Sequence, residues 1–259
     1  MNLSFDPNLA AGYKSPSQII RRLSEGWAEE NMYCPRCGEP HIRHFPNNQK
    51  VADFYCPQCA QQYEMKSTNG PIGDKIMDGT YATFIERIKG RNNPDFLIMS
   101  YCLKNLVVES LCIIPKHFFH EGIVEKRPPL SQTARRAGWI GCNIIISSIP
   151  VQGRIYIVRD KTVVSPALVQ KQLHMAEALN TDRVEARGWL FDTLNCINSL
   201  PSQSFTLQDV YRFEEKLALL YPNNQNIRPK IRQQLQVLRD RGMIEFLGDG
   251  HYQKILYKE

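Results

Sequence analysis

Two carboxylates and a lysine fall in the pattern Asp53 … Glu64-Met65-Lys66, with ten residues between the acids. Glu64 and Lys66 lie two apart in Gln62 to Ser67, a run that reads as a β-strand, so their side chains leave the same face. Asp53 belongs to a second strand-like run, Val51 to Tyr55, and a hairpin brings it alongside them. Burying two acids and an ammonium together is costly unless they serve one another or a metal. A hard, oxygen-seeking cation such as Mg²⁺ between Asp53 and Glu64 answers that cost, so the chemistry open to this set is that of a metal centre. Taken alone, the three residues also read as an exposed strand pair with a surface salt bridge, the commoner meaning of so short a motif.

The turn between the two strands carries a stronger signal. Cys34-x-x-Cys37 and Cys56-x-x-Cys59 are separated by 18 residues. Zn²⁺ takes four tetrahedral ligands, and two thiolate pairs joined by a loop supply them in zinc-ribbon spacing. With four thiols no coordination position stays open for a substrate, so the expected role is structural. His41 and His44 lie within the loop and read as ordinary polar residues. Cys102, Cys112, Cys142 and Cys196 stand singly in apolar surroundings and read as core thiols. The Cys56–Cys59 knuckle sits between Asp53 and Glu64, so zinc would pin the turn that joins their strands.

The surrounding elements must hold this hairpin. Ser17 to Trp27 reads as a helix, as does Tyr81 to Lys89, with Tyr81, Phe84, Ile85 and Ile88 on one face. Asp95 to Tyr101, Leu106 to Ile114, Asn143 to Ser147 and Ile155 to Val158 are β-branched or aromatic runs suited to buried strands. Strand, hairpin, helix, strand is an α/β arrangement round a mixed sheet. The expected first unit spans residues 1 to 180.

Residues 181 to 259 follow another pattern. A helix around Trp189 to Asn198 stops near Pro201. Thr206 with Asp209 forms a capping-box pattern opening a helix to about Leu220. A third helix, Ile227 to Arg241, buries Ile227, Ile231, Leu235 and Leu238. Met243 to Leu247 and His251 to Leu256 flank Gly248-Asp249-Gly250, a hairpin turn. Three helices and a hairpin make a winged helix. Arg228, Lys230, Arg232, Gln233, Gln236 and Arg239 decorate the open sides of the third helix. Arginine pairs with guanine and glutamine with adenine in the major groove, so this helix is suited to reading duplex DNA; a solvated amphipathic helix shows the same pattern.

Charge agrees with a polyanionic partner. The net charge is +6, and Lys126, Arg127, Arg135, Arg136, Arg154 and Arg159 carry all of it in a segment, 126 to 159, without an acid. Within it Trp139 follows Arg135 and Arg136 and offers an apolar surface for a base methyl group, or a core tryptophan. No apolar run reaches the length of a membrane span, and a cytoplasmic protein with reduced thiols is expected. Nothing points to a membrane partner or a small-molecule cofactor.

The Asp53, Glu64 and Lys66 pattern resembles the PD-(D/E)xK nuclease superfamily, with Ala52 where that pattern often has proline. The resemblance implies a restriction-endonuclease-like mixed sheet with an inserted zinc ribbon at about 34 to 59 and a C-terminal winged-helix domain. It implies that Asp53, Glu64 and the backbone carbonyl of Met65 hold Mg²⁺, and that Lys66 orients the attacking water. Longer stretches resemble the DpnI-type family of methyl-directed restriction endonucleases: MYCPRCG at 32–38, VADFYC at 51–56, DGTYAT at 78–83, TARRAGWIGCN at 133–143, FTLQDVYRFE at 205–214 and KIRQQLQVLRD at 230–240. That family implies cleavage of double-stranded DNA at GATC sites carrying N6-methyladenine, with both domains recognising the site. The alternative is a non-catalytic zinc-ribbon and winged-helix regulator, against which the acids speak, because carboxylates repel phosphate.

Overall fold

A computed structural model describes residues 1–46, 52–90, 93–181 and 184–255. Its strands are β1 (Arg43–His44), β2 (Phe54–Tyr55), β3 (Gln62–Asn69), β4 (Lys75–Thr80), β5 (Asp95–Cys102), β6 (Val107–Ile114), β7 (Val124–Lys126), β8 (Gly141–Ile145), β9 (Ile155–Arg159), β10 (Thr162–Val163), β11 (Ser204–Thr206), β12 (Ile244–Gly248) and β13 (His251–Lys254). Its helices are α1 (Pro16–Asn31), α2 (Tyr81–Lys89), α3 (Pro166–Glu177), α4 (Val184–Ser199), α5 (Leu207–Tyr211), α6 (Glu214–Leu220) and α7 (Ile227–Asp240).

The main sheet runs β1-β2-β3-β5-β6-β9-β10. Only β3 and β5 pair in parallel; every other neighbour is antiparallel. This is the mixed sheet expected of the α/β class. β5 is buried from Asp95 to Tyr101, which is why its sequence, DFLIMSY, lacks the alternation of a half-exposed strand. α1 covers β3 through Leu23, Trp27 and Ala28, whose spacing makes one helical face. A second sheet, β4-β8-β7, lies beside the first, with α2 packed on it.

Towards the C-terminus, α4, β11, α5, α6, α7 and the β12–β13 hairpin form a winged-helix arrangement with sheet order β11-β13-β12. The Thr206 hydroxyl accepts from Asp209 N, and Asp209 accepts from Thr206 N, closing the capping box. α4 seats on the rest of the molecule: Phe191 stacks on Phe118 at 4.7 Å, and Asn195 donates to the Ser148 carbonyl at 2.7 Å.

Several expected boundaries shift. α1 extends past Trp27 to Asn31. The helix opened by Thr206 does not run unbroken to Leu220; it divides at Arg212 and Phe213. The first hairpin strand is two residues long, and Val51 lies outside the described residues. β12 begins at Ile244, while Leu256 lies outside the described residues. Asn143 to Ser147 is displaced to Gly141–Ile145, since Ile146 to Ser148 winds into a 3₁₀ turn. Cys112, Cys142 and Cys196 are buried; Cys102 is only partly so.

Candidate active site and metal centre

The four cysteines of the two knuckles converge, all their sulfurs lying within 4.8 Å of one another. Cys34 and Cys59 sulfurs are 3.6 Å apart, and those of Cys37 and Cys56 3.5 Å. A disulfide would bring them to about 2.0 Å. A tetrahedron with Zn–S bonds of about 2.3 Å has edges of about 3.8 Å. The set therefore fits Zn²⁺. The two knuckles repeat one backbone design. Gly38 N bonds Cys34 O and Ala60 N bonds Cys56 O, both at 2.9 Å, and both donors sit at positive φ, +83° and +57°. Glycine takes that conformation freely, whereas Ala60 does so under strain. His41 and His44 stand outside the sulfur cluster.

The ribbon is tied to the sheet at two points. Arg36, between Cys34 and Cys37, pairs with the fully buried Asp95 at 3.0 Å and with Glu177 at 2.7 Å. Tyr63, fully buried on β3, places its hydroxyl 3.0 Å from Cys34 Sγ.

Immediately after Tyr63, the three residues singled out by spacing come together. Asp53 N bonds Tyr63 O at 3.0 Å, and Asp53 O accepts from Phe45 N at 2.9 Å, so its backbone is held on both sides. Its Oδ2 accepts the Met65 N–H at 2.8 Å. Lys66 Nζ lies 2.7 Å from Glu64 Oε1, on the common face that alternation predicts. Three further residues complete the cluster. Asp78 Oδ1 lies 2.6 Å from Lys66 Nζ, and Arg87 Nη1 lies 2.8 Å from Glu64 Oε2. Glu25 on α1 is buried near Asp53 and pairs with Arg21 at 2.7 Å and His44 at 3.3 Å.

The charges explain one another. Burial raises the Asp53 carboxyl above its ordinary range; the Met65 N–H opposes this, and the charges of Glu64 and Glu25 add to it. Glu64 is equally enclosed, yet Lys66 and Arg87 outweigh burial and hold its carboxyl low. Burial tends to discharge Lys66, but Glu64 and Asp78 keep its ammonium charged. Opposite charges about 4 Å apart attract by roughly 4 kcal/mol at an effective dielectric near 20, so two such contacts match a desolvation penalty of several kcal/mol. Asp53 accepts one hydrogen bond, from the Met65 N–H to Oδ2, and burial with the charges of Glu64 and Glu25 outweighs that donor and the pull of Lys66. That leaves Oδ1 open and the carboxylate only partly compensated, where a divalent cation would serve.

Residue type and spacing give no role to Asp78 or Arg87. Arg87 had a signal in retrospect, as a basic residue in the last turn of the helix that follows the Glu64 strand. Asp78 depends on a bulge that spacing alone does not reveal.

Around the cluster, Arg135 and Arg136 are exposed in the segment 127–140, which has no regular secondary structure. Trp139 is half-buried, not a core residue. Its Nε1 donates to Thr80 Oγ1 at 3.1 Å, and the Arg136 guanidinium lies 4.6 Å from its ring centre. The ring lies against Gly141, where a Cβ would stand 2.7 Å away, so a larger residue would displace it. On α7, Arg228, Arg232, Gln233 and Gln236 are exposed and Lys230 is half-buried. Arg228 bonds Glu214 at 2.7 Å and lies over the Tyr211 ring; Arg232 donates to the Tyr211 hydroxyl at 2.7 Å; Lys230 donates to Gln233 at 2.7 Å. Trp189 is buried and stacks on Tyr221.

Against known families, the profile described as DpnI, Dam-replacing family, matches residues 1–182. The chain belongs to the DpnI family. A second profile, described as the Dam-replacing HTH domain, matches residues 185–254. DpnI-family membership makes this a restriction-type nuclease, and its helix-turn-helix domain is a DNA-binding module. The zinc-type cysteine cluster and the central mixed sheet agree with that assignment. No helix among the described residues is long and apolar enough to cross a membrane.

Proposed function

We propose that this DpnI-family protein is a methyl-directed type II restriction endonuclease that hydrolyses double-stranded DNA at GATC sites carrying N6-methyladenine, with Mg²⁺ at Asp53, Glu64 and the Met65 carbonyl. In this reading residues 1–180 form the nuclease domain and 181–259 the DNA-binding domain. One observation supports the assignment of the site: Asp53, at the entry to the β2–β3 hairpin closed by the cysteine knuckle, keeps one oxygen open beside a Glu64–Lys66 pair.

When bound, Mg²⁺ supplies a Lewis acid for the scissile phosphate and its leaving oxygen. Asp53 and Glu64 hold the ion's position. Lys66, kept charged by its two carboxylate neighbours, orients the attacking water. Arg135, Arg136 and Trp139 approach the duplex from the nuclease domain, with Trp139 offering apolar surface to the adenine methyl. Arg228, Lys230, Arg232, Gln233 and Gln236 face the major groove from α7. A structural Zn²⁺ on Cys34, Cys37, Cys56 and Cys59 keeps the hairpin closed. A cytoplasmic location suits the reduced thiols this requires.

A synthetic duplex with one GATC, methylated on both adenines or on neither, tests the reading. Cleavage of the methylated duplex with Mg²⁺, and of neither duplex with EDTA, is expected. Binding of either duplex without cleavage in Mg²⁺ would favour a regulator instead.

A further inference from the structure

The Lys66 ammonium is held from two sides, and its two anionic partners are not equivalent. Glu64 shares its carboxylate, with Oε1 on Lys66 and Oε2 on Arg87. A cation on Glu64 would draw that charge away and repel the ammonium. Asp78 stands outside this competition. Its Oδ1 lies 2.6 Å from Lys66 Nζ and accepts the Gly79 N–H at 2.7 Å. Its side chain is 6% exposed, and its Oδ2 is buried with no hydrogen-bond partner among the described residues.

A carboxylate buried with one oxygen unsatisfied costs stability, so its place against the Lys66 ammonium points to a role for its charge. The backbone aims it. The register between β4 and β8 slips between Asp78 and Thr80, and such a bulge redirects the side chain it carries. The same three residues end at Thr80, which accepts the Trp139 indole N–H.

We infer that Asp78 is a positioning residue: it fixes Lys66 beside Glu64 once a cation occupies the acids, through a bulge that also anchors the Trp139 side chain. This inference rests on the nuclease reading above. The loop around Trp139 and the lysine that orients water then share one short support.

The test is a double-variant cycle under single-turnover conditions, with enzyme in excess over a methylated GATC duplex in Mg²⁺. Asp78→Asn is expected to slow cleavage by about 10- to 100-fold, the scale for a misplaced reacting group. Duplex affinity in Ca²⁺ should stay at the wild-type value, and the variant should remain folded at the assay temperature. In a Lys66→Met background, Asp78→Asn should change the rate less than about twofold, because the residues act as a unit. Wild-type cleavage by Asp78→Asn, or equal losses in both backgrounds, would overturn the inference while leaving the nuclease reading intact. Wild-type cleavage by Lys66→Met would instead remove the reading itself. If Lys66→Met leaves no measurable rate, a crystal structure of Asp78→Asn with Ca²⁺ decides: a displaced Lys66 supports the inference and an unmoved one overturns it.

Discussion

The Tyr63 hydroxyl lies 3.0 Å from Cys34 Sγ, and Tyr63 is the residue before Glu64. The metal cluster and the acid pair are thus one residue apart along β3. With zinc bound, the sulfur is a thiolate and the hydroxyl donates to it. Tyr63→Phe removes that donor without changing the ring's packing. We expect about a 10-fold loss of zinc affinity, read by competition with a chromogenic chelator. Complete removal of zinc should unfold the knuckles and abolish cleavage together. Unchanged zinc affinity in the variant would show that the contact does not tune the site.

Asp53→Asn, Glu64→Gln and Lys66→Ala should each lower the cleavage rate by at least about 100-fold, on the scale of lost electrostatic stabilisation of a transition state. Duplex binding in Ca²⁺ should persist for the lysine variant. For Glu64→Gln the loss of charge also frees Arg87 from its ion pair. Single-turnover gels at saturating protein separate these effects, and full activity in any one variant would remove that residue from the mechanism.

Stability should fall in mild acid through two buried histidines. Burial pushes His117 and His120 each down to about 4 from an ordinary 6.5. His117 Nε2 meets the Ala176 carbonyl at 2.9 Å, and the His120 ring lies 6.1 Å from Phe191 of α4. The folded state keeps them neutral, while the unfolded chain takes up protons below about 6.5. Their contribution is therefore complete above that pH and lost as pH falls towards 4, up to about 3 kcal/mol each. Urea unfolding at pH 7 and pH 5 measures it. The variant His117→Gln, His120→Gln should show a smaller drop than wild type, which separates this contribution from acid release of zinc.

Tyr211 supports two arginines of α7, one through its ring and one through its hydroxyl. Tyr211→Phe should retain Arg228 and release Arg232. The expected cost is about 1 kcal/mol, or roughly fivefold in DNA affinity. Arg232→Ala should cost more, and titration of fluorescent duplex compares them. If the two variants bind like wild type, α7 is not a reading helix.

Much of the site could be read from residue order because its parts are local. The Cys56 knuckle falls inside the hairpin, and alternation puts Glu64 and Lys66 on one face, as their 2.7 Å contact bears out. The capping box at Thr206 is equally local. What escaped depends on distant chain or on irregular backbone. Asp78 reaches Lys66 only because a bulge turns it. Arg87 meets Glu64 because β3, α2 and β5 form a crossover with the two strands in parallel. α3 is hard to see in sequence: Val169, Leu173 and Ala176 are its only fully buried positions, a thin stripe for a twelve-residue helix. Trp139 had two open readings, and its half-buried place beside Thr80 follows from Gly141, which lets the ring lie close.

The most direct measurement of the central claim is digestion of one plasmid prepared with and without adenine methylation at GATC, using zinc-loaded, folded protein in Mg²⁺. Discrete fragments from the methylated plasmid and none from its unmethylated twin are predicted. An intact methylated plasmid, or equal cutting of both, would contradict the account.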